Sequence, residues 1–334
     1  MTYRESQRDT RSPIDFMARY GALTRAFEAK RSFGQSGRLL RYAAVGVLTV
    51  DAPAEVVVDG VHSCESALGE AFPWYRRLTV SGVIRLALSG ALYKYQLSPA
   101  GFVQAHERVR EWSGARAITG IYGLLATLIF CISRGSTEIE RHQVERFVEL
   151  HAHMRKARWF LTGADDYPAC AALAGCEGSA KALAARAESM FQTLRSHAGF
   201  RWGNALQRAS HFLTLTGLEP EAAGSRARAI VEGLRERGCR VSMAEYDEVA
   251  IFCAVPLPVA QLCDRVRASY DRLPGFGWAD SHGHRFDIAA AVALAELLND
   301  AGSEQLQTLK SLSDLQAIIA AQQAATAAVA ASSG

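Results

Sequence analysis

No run of apolar residues in this chain is long enough to cross a bilayer. The most apolar stretch, Ile118 to Ile132, has 15 residues and two glycines, where a span needs about 20. It reads as a buried helix, and no membrane span is expected. Charge of one sign is not in excess either. The 37 basic and 34 acidic residues are interspersed and leave a net charge of +3. That excludes the strong electrostatic footprint of a nucleic-acid binder and leaves at most a weak preference for anionic partners. Seven cysteines are present, but no CxxC; Cys170 and Cys176 are six apart and Cys253 and Cys263 ten apart. No zinc or disulfide framework follows, and buried thiols in a reducing, cytoplasmic compartment are expected. The N-terminal MTYRESQRDTRSP is polar and leads into no signal-peptide apolar core. GxSxG, HExxH, GxxxxGK and a strand-borne GxGxxG are all missing, so the common nucleophile, zinc-protease and nucleotide signatures do not apply.

What remains is a chain that can fold around a core: 334 residues, 49% hydrophobic and 21% charged. Residues 1–12 read as a tail, 13–316 as one domain, and 317–334, AIIAAQQAATAAVAASSG, as an alanine-rich second tail. From Ser81 the pattern recurs. Units begin near 81, 114, 165, 203, 244 and 282, and the last three spacings are close to 40 residues. In each unit a first helix is rich in small and apolar residues, and a second carries charges on one side. Leu183, Ala187, Met190, Phe191 and Leu194 trace the buried stripe of one such second helix, and Ile230 and Leu234 that of the next. Gly199, Gly238 and Gly275 fall where a left-handed helix terminus calls for glycine. GFRWG (199–203) and GFGWA (275–279) read as equivalent corners. The expected fold is all-α: about six stacked antiparallel helix pairs in one curved, α-solenoid-like array of the TPR or HEAT kind. AEVVVDGVH (54–62) is the dissenting segment, because its three consecutive valines favour a strand by propensity.

Two polar loops carry the candidate chemistry. In GADDYP (163–168), Asp165 or Asp166 suits a helix N-cap and Pro168 suits the first turn. Capping alone explains the motif; the functional alternative turns one aspartate into a pocket. In RWGNALQRASH (201–211), Asn204, Gln207 and His211 share one side of a small-residue helix and need partners if buried. If the first turns of successive first helices converge, then Asp165, Asp166, Tyr167, Asn204, Gln207, His211, Glu245, Tyr246 and Asp247 form a ligand site. HGHRFD (282–287) offers His282, His284 and Asp287 as ligands to a divalent metal, against the plainer reading of a solvated loop. His151 and His153 form a second HxH pair, in a helical pattern that points them apart. His62, Ser63 and Cys64 are sequence neighbours, which seldom form a triad. Arg108–Trp112 and Met154–Trp159 set arginines beside tryptophan, the pattern of solvated helix faces with cation–π cover or of anion contact.

DDYPACAALA (165–174), RWGNALQRASHFLTL (201–215) and the last GFGW corner together resemble a bacterial family of uncharacterised proteins, domain of unknown function 4003. The resemblance covers about residues 20 to 300. It implies a helical protein throughout, including residues 54–62, and brings no activity with it. The function expected from the sequence is a helical-repeat binding or scaffold protein whose concave face takes a protein, peptide or small-molecule ligand. The alternative is a metal-binding protein or metal-dependent enzyme with its site near Asp165, Asp166 and His211.

Overall fold

The computed structural model describes residues 14–32, 35–73, 80, 82–114, 118, 120–274 and 282–300. Both predicted tails and the 275–279 corner lie outside the described residues. Within them are fourteen α-helices, two short 3-10 turns and no strand. The helices are α1 (Phe16–Ala29), α2 (Gly37–Gly46), α3 (Ala54–Ala71), α4 (Gly82–Lys94), α5 (Pro99–Trp112), α6 (Gly120–Arg134) and α7 (Arg141–Ala157). There follow α8 (Tyr167–Ala174), α9 (Ala180–His197), α10 (Asn204–Leu215), α11 (Pro220–Glu236), α12 (Tyr246–Ala254), α13 (Val259–Arg272) and α14 (His282–Asp300).

Residues 54–71 are helical despite their valines. Val57, Val58 and Val61 all enter the core, and Gly60 lies flush against the Tyr93 ring, where a Cβ would have no room. Packing on α4 therefore outweighs the β-branched preference, which is worth only a few tenths of a kcal/mol per residue. Residues 282–287, expected as a loop, form the first turns of α14, and His284 is buried.

Each odd-numbered helix packs on the even-numbered one that follows it, giving seven pairs. Even-numbered helices are the apolar members. In α6 every residue from Gly123 to Ile132 is buried, as is every residue of α14 from Ile288 to Ala295. Odd-numbered helices bury only a stripe: Leu183, Ala187, Met190, Phe191 and Leu194 of α9, and Ile230 and Leu234 of α11. From α2 to α12 the even helices pack side by side as an inner layer with the odd ones over them, and α14 packs on the short turn Met243–Glu245 that precedes α12.

The first and last described helices meet. Helix α14 packs on both α1 and α2, and one hydrophobic cluster joins Phe16, Leu23, Leu39 and Val57 to Ile288 and Val292. Arg272 pairs with Asp15 at 2.5 Å, and the Tyr42 hydroxyl donates to Asp287 at 2.6 Å. The last described helix thus shares a core with the first two.

An arginine device recurs at one end of the pairs. Arg146 on α7 donates to the carbonyls of Cys176 and Gly178 at 2.5 and 2.6 Å. Arg186 on α9 donates to those of Gly217 and Leu218 at 2.8 and 3.0 Å. Arg226 on α11 reaches Cys253, Val255 and Leu257 at 2.9, 2.5 and 2.7 Å. These three arginines are 40 residues apart. Arg19 on α1 does the same for Leu48, Val50 and Ala52. In these four pairs the outer helix thus begins beside the loop that leaves its own inner partner, and its arginine satisfies carbonyls of that loop. These four pairs are antiparallel, so the N-termini of their inner helices lie at the opposite end.

Candidate functional site

That opposite end carries the polar loops. The chain enters α8 through a 3-10 turn, Ala164–Asp166, and α12 through another, Met243–Glu245. The last residue of each turn is a buried acid that reaches back three residues: Asp166 accepts from the Gly163 amide at 3.0 Å and Glu245 from the Ser242 amide at 2.5 Å. Capping by Asp166 therefore serves the turn before α8; its side chain accepts no amide from the first turn of α8 itself. Positive φ at Gly199 and Gly238, 68° and 74°, ends the preceding outer helices as the sequence indicates.

Asn204, Gln207 and His211 all face the loop before α8. Asn204 donates to Asp165 at 3.2 Å. Gln207 donates to Asp166 at 2.8 Å and to Thr162 at 3.3 Å. His211 Nδ1 lies 3.4 Å from Asp166 Oδ1, near enough for a charge contact but not aligned as a hydrogen bond. Burial is the chief force on these groups. It pushes the Asp166 carboxyl up against the pull of Gln207 and Gly163. It also drives the His211 imidazole down to about 3, helped by the nearby Arg158 guanidinium. His211 is therefore neutral at physiological pH. A narrow cleft of about 10 Å³, partly open to solvent, borders Gln207 and His211 together with Thr162, Arg158 and Glu188.

A second chain of contacts runs along the inner helices in order. Asp165 feels Tyr122 of α6 and Arg208 of α10. Arg208 donates to Asp247 of α12 at 3.0 Å. Asp247 and Glu245 lie close enough to Asp287 of α14 to raise its carboxyl, to which burial contributes most; its pKa stands at about 7. Asp287 accepts from Tyr42 of α2, and burial beside that carboxylate pushes the Tyr42 phenol up. Burial also pushes the Asp247 carboxyl up against the opposing pull of Arg208. Asp247 is only 6% exposed; one of its oxygens is held by Arg208, and the other is buried without a hydrogen-bond partner among the described residues. One oxygen of Asp287 is in the same position. Acceptors outnumber donors here, and acids outnumber the two guanidiniums, Arg208 and Arg38.

Other expected site residues do not join this group. Tyr167 is buried with its ring edge-on to Phe147 and His151. Tyr246 stacks on Phe200 at 3.9 Å and accepts from the Arg201 amide, which makes it a corner strut. His284 packs edge-on to Tyr42 at 4.8 Å, and the side chain of His282 is outside the described part. Among the described residues no three His, Cys, Asp or Glu side chains group as metal ligands, so the suggested 282–287 metal centre gains no support. Sequence reading missed Arg208, Tyr122 and Tyr42. Arg208 stands one residue after Gln207 and a helical turn after Asn204, which is the signal that could have found it.

Residues 119–324 match the family described as Protein of unknown function (DUF4003). The match begins at α6 and includes both polar loops and the Arg208–Asp247–Asp287 series. Over 209 residues the chain is 25% identical to the uncharacterized protein YeaA of Bacillus subtilis (strain 168), a stretch that is 62% of this chain and 61% of YeaA. The chain thus spans about three fifths of the length of that curated relative. No solved structure matches. With well over half its length in the match, this chain belongs to the DUF4003 family of proteins of unknown function.

Proposed function

We propose that the protein binds a small, positively charged ligand where the N-termini of its inner helices gather. The observation that carries this is Asp247, a buried carboxyl with one oxygen on Arg208 and the other unpartnered, beside Asp287 in the same condition. An unpaired buried acceptor costs about 1–3 kcal/mol. A ligand that brings N–H donors and positive charge recovers that cost, and an anion would not. Around the site we read the seven pairs as one domain built on a repeat, supported by arginines that recur every 40 residues. The seven thiols, none of them in a disulfide, suit a cytoplasmic location.

Thermal melting with putrescine, spermidine, agmatine and arginine as probes tests the reading. At a hundredfold excess over Kd, one of these amines should raise Tm by about 4 °C for a chain of this size, and Asp247→Asn should abolish the rise. Equal shifts in the wild type and the variant, or none with any amine, would sink the proposal.

A second reading, an enzyme that moves a proton, is favoured by the Tyr42–Asp287 contact of 2.6 Å and by the Asp287 pKa of about 7, the range in which a general acid or base works best at neutral pH. Infrared or carboxyl-labelled NMR titration should find one aspartate protonating near neutrality. Asp287→Asn should remove that titration.

A further inference from the structure

We propose that the loops before α8 and α10 form a docking surface for an anionic phospholipid bilayer. Three large aromatic side chains protrude there: Trp159 is 74% exposed, Phe160 56% and Trp202 50%. Exposed rings are ordinary when scattered, but a contiguous group marks a contact surface. Here the rings touch: Trp159 meets Phe160 edge-on at 5.6 Å, and Phe160 stacks on Trp202 at 5.7 Å.

Both loops are held rigidly from below. Arg158 lies under the first, stacked 3.1 Å from the centre of the Phe191 ring and paired with Glu188 at 2.5 Å, and Leu161 is buried. Phe200 anchors the second against Tyr246. The rings are thus displayed by a fixed scaffold and lose little freedom on contact.

Charge picks the partner. Arg155, Lys156 and Arg201 are exposed around the rings, and none pairs with a carboxylate among the described residues. Residues 150–164 and 189–218 contain no Asp or Glu. Tryptophan and phenylalanine flanked by unpaired basic side chains fit the boundary between headgroups and acyl chains of an anionic membrane. Single-stranded nucleic acid would use aromatic faces as stacking platforms, but these rings cover one another and offer an apolar ridge instead. Bilayer docking here does not rest on the amine site.

Cosedimentation of the full chain with vesicles of phosphatidylcholine and phosphatidylglycerol tests this, with pure phosphatidylcholine vesicles as reference. Binding is expected to the anionic vesicles alone and to fall with added salt. Arg155→Gln with Lys156→Gln should weaken it about thirtyfold, and Trp159→Ala with Phe160→Ala and Trp202→Ala should abolish it with the melting curve kept. Should that triple variant fail to fold, quenching by brominated lipid decides. Trp159→Phe with Trp202→Phe should keep the binding and lose most of the quenching. The proposal is overturned if anionic vesicles are not bound, or if quenching survives in that variant. It is equally overturned if removing the rings abolishes self-association or oligonucleotide binding and leaves vesicle binding intact.

Discussion

Asp165 and Asp166 are neighbours with different work. Asp166 is the buried one and accepts from Gly163 and Gln207; Asp165 sits nearer solvent against Asn204. Asp166→Ala should cost about 2 kcal/mol, a fall of about 3 °C in Tm, because the half-buried Gly163 amide loses its acceptor and the buried Gln207 keeps only Thr162. Asp165→Ala should cost well under half of that in the same calorimetric scan. Titration separates the site acids from His211. The Asp287 carboxyl has its folded pKa raised to about 7, above the usual value of about 4. Its contribution to stability is present below about pH 4 and lost as pH rises through about 7. The His211 pKa is depressed to about 3, so its contribution is present above about pH 6.5 and lost as pH falls. Urea unfolding should show Asp287→Asn sparing about 2 kcal/mol of the loss between pH 5 and pH 7; an unchanged profile would contradict the raised carboxyl. The grouping of Asp166, Gln207 and His211 was legible because helical spacing alone puts 204, 207 and 211 on one side. The partnership of Arg208 with Asp247, or of Tyr42 with Asp287, was not, because an arginine or tyrosine in an amphipathic pattern looks like any solvated face until a remote helix is laid against it.

At the scale of elements, the arginine clasps hold the loops that leave the inner helices by satisfying their carbonyls. Arg226→Ala should destabilise the protein by about 2–3 kcal/mol, since three carbonyls lose a charged donor together. Arg226→Lys should recover less than half of this by the same unfolding measurement, because one ammonium cannot span Cys253, Val255 and Leu257 as a planar guanidinium does. Periodicity exposed the helices from Ser81 onward, since each has either a small-residue face or a clear apolar stripe. At residues 54–62 valine preference pointed to a strand and the family resemblance to a helix; the preference is a few tenths of a kcal/mol, and the packing against Tyr93 and α4 that overrides it lies some thirty residues away. Periodicity was misled at 282–287, where two histidines and a glycine look like a loop and become helix because Phe286 and Ile288 need burial.

For the whole molecule, what matters is that α14 belongs to the same core as α1 and α2. Removal of residues 282–334 should loosen helices nearly the full chain length away. Hydrogen exchange should show Leu39 and Leu40 of α2 losing protection while Leu206 and Leu213 of α10 keep most of theirs; an equal effect on both regions would mean that the pairs do not respond to closure locally. Nothing in the sequence announced this contact, because the pairing partners are separated by almost the entire chain and repeat periodicity is the same in a stack with ends and in one without.

Closure also sets a rule of inheritance. A stack with two ends can lengthen or shorten by duplicating or losing one pair, and the remaining neighbours still fit. Where α14 must meet α1 and α2, one added pair would displace that contact, and one lost pair would leave its apolar face uncovered. Length variation among descendants of this gene should therefore collect in the connections and tails, with the number of pairs handed down unchanged.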